Sequence, residues 1–305
     1  MAVAIKPDPQ DLDGILKRFR PSGDEPDARR RFLYFEGSLL AMRREYPQSI
    51  ERLDELAKLD ASSPEPTLRL AEVLCLSSQY EHAEKVFRAA LEDSRSKDRR
   101  IWDRWLAVEL VDLKRSPAEV MDRLPAASSG AGGENDYGAD VLWLLHRHKA
   151  GEAIRIHCGG GEYQEPGGKL WGKDRFARGG SSALCWGGDV QGTEADPLYS
   201  TERSFPLEEA GENSDYAIPL PPGEYRVHLH FAEVYQNIKG CRRFDVLLEG
   251  KAVLDDFEPI ETGFATAVEK IFDVGVADGI LEIGFIHSSS ADPPKVSAIE
   301  VERVE

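Results

Sequence analysis

From about residue 28 to residue 124 the apolar positions return at helical spacing. Phe32, Phe35, Leu39 and Leu40 form one stripe, and Ile50, Leu53, Leu56 and Leu59 form the next. Leu68, Ala71, Leu74 and Cys75 follow, then Ala83, Phe87, Ala90 and Leu91. Steps of three and four line one face of a helix, so each stripe predicts a short amphipathic helix. Pro47, the SSPEP stretch at 62–66 and Ser116-Pro117 fall between stripes, where helices begin or break. From Glu152 onward the period changes to alternation. AIRIHC, YRVHLHF, RRFDVLLEG, KAVLDDF, TAVEKIFDV, GILEIGFIH and KVSAIEVERV read as short strands separated by turn residues. Within GEYRVHLHFAEV, Tyr225, Val227, Leu229 and Phe231 point to one face and Arg226, His228 and His230 to the other. Glu249-Gly250 predicts a tight hairpin turn. The pattern predicts an antiparallel β-sandwich or barrel behind a helical domain.

The domain boundaries follow from the same reading. Residues 1–27 hold Pro7, Pro9, Gly14, Pro21 and Gly23 and predict a flexible start with at most a short helix near Leu12–Phe19. Residues 28–124 form the helical domain, and 125–151 a linker with a short helix. The linker is PAASSGAGGENDYG, and the helix, DVLWLLHRHKAG, docks through Val141, Leu142 and Leu145. Residues 152–305 form the β domain. With Pro64 as the first position, LRLAEVL and QYEHAEKVFRAAL place small Ala71 and Ala83 where two helices touch. In a register of about 34 residues this resembles a tetratricopeptide repeat. Gly37, Leu53 and Leu56 echo it in the preceding unit, and a hairpin around Trp102, Trp105, Leu110 and Val120 matches in helix count only. A generic helical bundle is the competing reading.

Composition narrows the function. The net charge is −17 in 305 residues, a field that repels a phosphate backbone and argues against nucleic acid as a partner. No run nears the roughly 18 apolar residues of a membrane helix, and MAVAIKPDPQ lacks a secretory pattern. The chain as it stands reads as cytoplasmic, though it could be a piece of something longer. Cys75, Cys158, Cys185 and Cys241 are scattered and form no CxxC pair, which predicts reduced thiols and no zinc site.

Several strings in the second half carry a family resemblance: CGGGEY at 158–163, DPLYSTERSF at 196–205, YAIPLPPGEYRVHLHFAEVYQ at 216–236, RRFDVLLEGKAVLDDF at 242–257 and DPPKVSAIEVERV at 292–304. In this order they resemble the malectin domain, a carbohydrate-binding module also found in many bacterial multidomain proteins. The resemblance implies a jelly-roll-like β-sandwich whose loops gather at one end. It also implies a site in which aromatic rings and one aspartate hold a glucose-containing oligosaccharide. Sugar C–H faces stack on rings, and a carboxylate accepts from adjacent hydroxyls. On this resemblance the tyrosine after FAEV falls on Tyr235 and the aspartate on Asp292. The family's second aromatic is here Gln236, and its tyrosine after T-E-R is here Ser204, with Phe205 next door to fill the gap. Trp186, in ALCWGGD, stands in for a further aromatic.

Each of these residues also has a structural reading. Tyr235 can cap a strand, Asp292 can organise a turn before Pro293, and Trp186 can plug a core. The glycines of GGGEY, with Trp171 nearby, serve backbone turns, because no phosphate-binding helix follows them. Glu202 and Arg203 read as internal ion pairs. Glu233 reads as a buried carboxylate paired with Arg203 or Arg243. His228 and His230 share a strand face but find no further metal ligands, so that face reads as solvated, as does the helix surface with His146 and His148. Asp255 and Asp256 lack a calcium-loop pattern. No catalytic motif, cofactor or metal site is expected. The sum predicts a non-catalytic carbohydrate-binding protein whose helical repeat recruits a protein partner. The alternative is an interaction scaffold with a degenerate sugar site; more distant is a piece of a carbohydrate-active enzyme.

Overall fold

The computed structural model describes residues 25–124, 137–205, 214–288 and 291–304, together with 14 and 16. Most of the 1–27 segment and of the 125–138 linker lies outside the described residues. The chain divides into two compact units, residues 1–114 with 123–139, and residues 115–122 with 140–305.

The first unit holds α1 (Pro26–Met42), α2 (Tyr46–Leu59), α3 (Pro64–Leu76), α4 (Tyr80–Leu91) and α5 (Arg99–Ala107). Proline opens α1 and α3 and sits in the first turn of α2, where its missing N–H costs nothing. Ala71, Ala83 and Ala90 are fully buried, and a Cβ on Gly37 would lie 2.7 Å from Leu53, so α1 and α2 approach closely there. Ser49 on α2 donates to the Gly37 carbonyl at 2.7 Å in the same crossing. The first stripe is rotated from its expected face: Leu33, Gly37, Leu39 and Ala41 turn inward, while Phe35 is exposed. Trp102 and Trp105 are buried edge to face at 6.0 Å, and α5 runs on into a π-helical turn, Val108–Asp112. Helix α6 (Pro117–Met121), which belongs to the second unit, starts at a capping box between Ser116 and Glu119.

Helix α7 (Tyr137–Ala150) lies in the second unit from Asp140 onward, so that unit begins before Glu152. Its Val141, Leu144 and Leu145 are buried. Leu142, expected to dock, is only half-buried. The strands are β1 (Ile154–His157), β2 (Tyr163–Gln164), β3 (Leu170–Trp171), β4 (Ala177–Arg178), β5 (Ser181–Leu184), β6 (Thr201–Ser204), β7 (Asp215–Pro219), β8 (Gly223–Phe231), β9 (Phe244–Leu248), β10 (Lys251–Phe257), β11 (Val268–Val276), β12 (Ile280–His287), β13 (Lys295–Val296) and β14 (Ala298–Arg303). Helix α8 (Asp196–Ser200) precedes β6. The sheets run β1-β14-β8-β11, β10-β9-β12-β7-β4, β13-β6-β5 and β2-β3, and the strands pair antiparallel. The two largest sheets meet through Phe231 against Phe244 and Phe257, at 6.0 and 5.0 Å. Tyr225, Val227, Leu229 and Phe231 are buried, as alternation requires. Leu248 pairs with Lys251 across Glu249-Gly250, and both turn residues take positive φ, which glycine adopts at no cost.

Candidate functional site

The chain leaves β8 at Phe231, and the next turn is organised by Glu233. This carboxylate is buried, yet Oε1 accepts the backbone N–H groups of Tyr235 and Gln236, each at 3.0 Å. Oε2 accepts from Arg242 Nε at 2.7 Å. The same guanidinium donates to the Pro293 carbonyl. Beside it the Cys241 carbonyl accepts the N–H groups of Ala291 and Asp292, at 3.1 and 2.8 Å. One arginine therefore ties the loop that carries Tyr235 to the segment that carries Asp292. Lys295 completes the network: fully buried, it donates to Glu202 at 2.5 Å and lies 3.8 Å from Glu233 Oε1. Burial opposes ionisation of Glu233, but Lys295, Arg242 and the two amide donors outweigh it and hold the carboxyl below its ordinary value.

An aromatic pair adjoins this network. Phe264 forms a parallel bridge with Glu233, and the Ala265 N–H donates to the Glu233 carbonyl at 2.8 Å. Trp186 stands edge-on to Phe264 at 5.2 Å and donates from Nε1 to the Asp189 carbonyl at 3.3 Å. Both rings are half-buried at the margin of a cluster that includes Val234, Trp171 and Leu198. Burial and the nearby Glu202 push the Cys185 thiol up to about 11, so it is neutral at physiological pH. The sequence reading missed Phe264. Its signal was an aromatic between Gly263 and Ala265 in the turn that precedes β11.

The expected residues divide. Tyr235 is 66% exposed. Gln236, Asp292 and Trp186 are half-buried around the Glu233–Arg242 link. Ser204 ends β6 between Ser181 and Lys295 and offers no ring. Phe205 does not reach the loop end. Its N–H donates to the Pro294 carbonyl at 2.9 Å, and its ring stacks on Phe285 at 5.0 Å in the core. The gap at Ser204 thus stays unfilled by its neighbour. Leu184 and Ile238 are 78% and 66% exposed, aliphatic groups on the segments that carry Trp186 and Tyr235.

Other expectations change too. Glu233 pairs with Arg242 and Lys295, whereas Arg203 pairs with Asp174 at 2.8 Å and Arg243 with Glu258 and Asp256. Glu202 forms the internal pair foreseen for it, with Lys295. His230 is not solvated. Tyr199 from α8 meets its Nδ1 at 2.9 Å, Trp171 covers it edge-on at 5.4 Å, and burial lowers its pKa to about 4. His148 is likewise lowered to about 4, chiefly by burial. His228 faces Glu269 at 2.7 Å, and Asp256 takes Arg243 as its ion-pair partner. Among the described residues no group of three or more His, Cys, Asp or Glu side chains could hold a metal ion. The glycines of GGGEY do serve a turn: Gly159 has φ +70°, and a Cβ there would lie 2.0 Å from the Glu202 carbonyl oxygen.

Residues 152–299 match the model of the malectin domain. A stretch of 75 residues is 41% identical to a probable leucine-rich repeat receptor-like serine/threonine-protein kinase of Arabidopsis thaliana, covering 22% of this chain. The chain spans only 7% of the length of that curated relative. Among solved structures, the β-glucuronidase of Bacteroides uniformis is similar at 18% identity and a TM-score of 0.46, over 52% of this chain and 19% of that one. The ANX2 ectodomain of Arabidopsis thaliana is similar at 14% identity and a TM-score of 0.43, over 50% of this chain and 49% of that one. Among the described residues no helix is long and apolar enough to cross a membrane.

Proposed function

We propose that the second unit is a non-catalytic saccharide-binding module and that the helices of the first unit recruit a protein partner. On this reading the two largest sheets are a jelly-roll-like β-sandwich, and α1 to α4 are tetratricopeptide-like hairpins. One observation carries the saccharide assignment. The buried Glu233–Arg242 link holds Tyr235, Gln236 and Asp292 on two adjoining segments, with Trp186 joined to them through Phe264. An exposed phenol ring supplies a stacking face, and a half-buried carboxylate and amide supply acceptors and donors for hydroxyls, on a frame that needs no reorganisation.

Calorimetry against gluco-oligosaccharides tests the proposal. Tyr235→Ala should weaken binding by about tenfold or more, as loss of a stacking contact implies. Its melting temperature should stay near that of the wild type, because the ring is mostly exposed. A wild-type protein that binds none of these sugars would overturn it. A second reading, a surface for an apolar peptide, is favoured by exposed Leu184 and Ile238 and by the burial of Phe205. Aliphatic groups serve peptide side chains better than sugar faces. On that reading Leu184→Asp abolishes capture of a partner and Tyr235→Ala leaves sugar titrations unchanged.

A further inference from the structure

The structure holds a cleft of about 290 Å³ that shares no lining residue with the loops around Tyr235 and Asp292. It lies between α7 and the β2–β3 hairpin. Trp143 and Arg147 line it from the helix, and Glu162, Tyr163, Gln164 and Leu170 from the hairpin side. We propose that this cleft is a second saccharide site, one that takes a neutral hexopyranoside of mono- or disaccharide size.

The walls are preformed. On the helix side Trp143 is fixed by Arg175, whose guanidinium lies 4.0 Å from the ring centroid, and by Gly172. A Cβ at Gly172 would come within 2.6 Å of the indole, so only glycine lets the ring seat against the strand. Backbone bonds hold Gly172 in turn, its N–H donating to the Arg155 carbonyl at 2.8 Å and its carbonyl accepting from His157 at 2.9 Å. On the hairpin side Trp171 is buried and donates to Glu165 at 2.6 Å, while the Glu165 and Gly168 N–H groups close the turn at 2.9 Å. Lys169 anchors the hairpin to Glu300 at 3.3 Å. A rigid cleft binds without first ordering its walls.

The lining chemistry selects the ligand class. Indole, phenol and the half-exposed Leu170 offer flat apolar area, and Glu162, Gln164 and Arg147 offer acceptors and donors at the rim. A pyranose presents the same mixture, C–H faces bordered by hydroxyls. The volume sits at the lower end of the range for ligand cavities, which favours a small sugar over a long peptide. The charges decide against an acidic sugar. The Glu162 carboxylate offsets the one cation in the lining, Arg147, which is already paired with Glu152. Trp171 and Tyr163 also belong to the cluster that reaches Val234 and Trp186, so both sites stand on one apolar floor.

The test is independent of the loop site. Maltose, cellobiose and glucuronate are titrated into the full chain by calorimetry and tryptophan fluorescence, in the wild type and three variants. Tyr235→Ala removes the loop contact, Glu162→Ala with Gln164→Ala removes exposed polar groups of the cleft, and Trp143→Phe retains a ring beside Gly172. The expected result is that Tyr235→Ala still shows a response to maltose or cellobiose but not to glucuronate. The paired cleft variant should weaken that response about tenfold, and Trp143→Phe should reduce the fluorescence change, with buried Trp171 the remaining indole in the lining. Two results would overturn the proposal: a wild type that responds to none of the sugars, or a response that vanishes in Tyr235→Ala and is untouched in both cleft variants. In the second case the loop site stands and the cleft does not, and a response untouched in both cleft variants overturns the cleft even where it survives in Tyr235→Ala; survival in Tyr235→Ala together with loss in the cleft variants leaves the cleft standing whatever becomes of the loop site.

Discussion

Glu233 shows how far a single residue can be read from its neighbours in the chain. Alternation along β8 and the hydrophobic FAEV string predict that its carboxylate turns inward, and it does. The expected partner was wrong, yet the same rule identifies the right one. Phe244 is buried in β9, so Arg242, two residues earlier, shares its side and Arg243 takes the other. The consequence can be measured. Arg242→Ala leaves the buried Glu233 without its hydrogen-bonded cation, with only Lys295 at 3.8 Å to offset its charge, and should cost about 3 kcal/mol in chemical denaturation. It should also free both the Tyr235 and Asp292 segments, seen as faster amide exchange at Gln236 and Asp292. Arg243→Ala, at a half-exposed guanidinium whose partner Glu258 keeps the Gly240 N–H at 2.7 Å, should cost less than Arg242→Ala and leave exchange at Gln236 and Asp292 unchanged. Equal effects from the two variants would refute the assignment of Arg242 as the link.

Among the elements, β8 was legible on one face only. Its inner residues follow from period two, as does the β9–β10 turn from Glu249-Gly250, because both are set by near neighbours. The outer face is decided by pieces far away in sequence. Trp171 arrives from β3 and Tyr199 from α8 to cover His230, and no local pattern announces them. The first helical stripe fails for a related reason: Phe35 fits the spacing, but the close approach of α1 to α2 at Gly37 turns it outward. Covering His230 makes the fold sensitive to acid. The ordinary histidine value of 6.5 falls to about 4, chiefly through burial. The unfolded chain therefore takes up the proton first as pH drops. The contribution is fully present above pH 6.5 and is lost progressively toward pH 4, by which point the loss amounts to roughly 3 kcal/mol. His230→Gln, which keeps a partner for Tyr199, should flatten the fall in urea midpoint between pH 7 and pH 4.5. An unchanged slope would show that another group carries it.

At the scale of the whole molecule, the change of period at Glu152 marks where strands begin but not where the second compact unit begins. Composition separates DVLWLLHRHKAG from the strands, because a helix and a sheet differ in period whether or not they pack together. The contacts join them. Asp140 lies 3.6 Å from both Lys173 and Arg175, and Trp143 seats on Gly172 and Arg175. Helix α7 is thus part of the β unit, and the cleft proposed as a second site exists only with it. A fragment of residues 140–305 should accordingly fold with a cooperative melt. A fragment of residues 152–305 loses the buried Val141, Leu144 and Leu145, each worth about 1.5–3 kcal/mol of apolar burial, and leaves Arg175 without Asp140. It should melt well below the longer fragment, and lose the maltose response assigned to the cleft while keeping any response that depends on Tyr235. Matching melts for the two fragments would mean that the helix contributes nothing to the unit, and the boundary would return to Glu152.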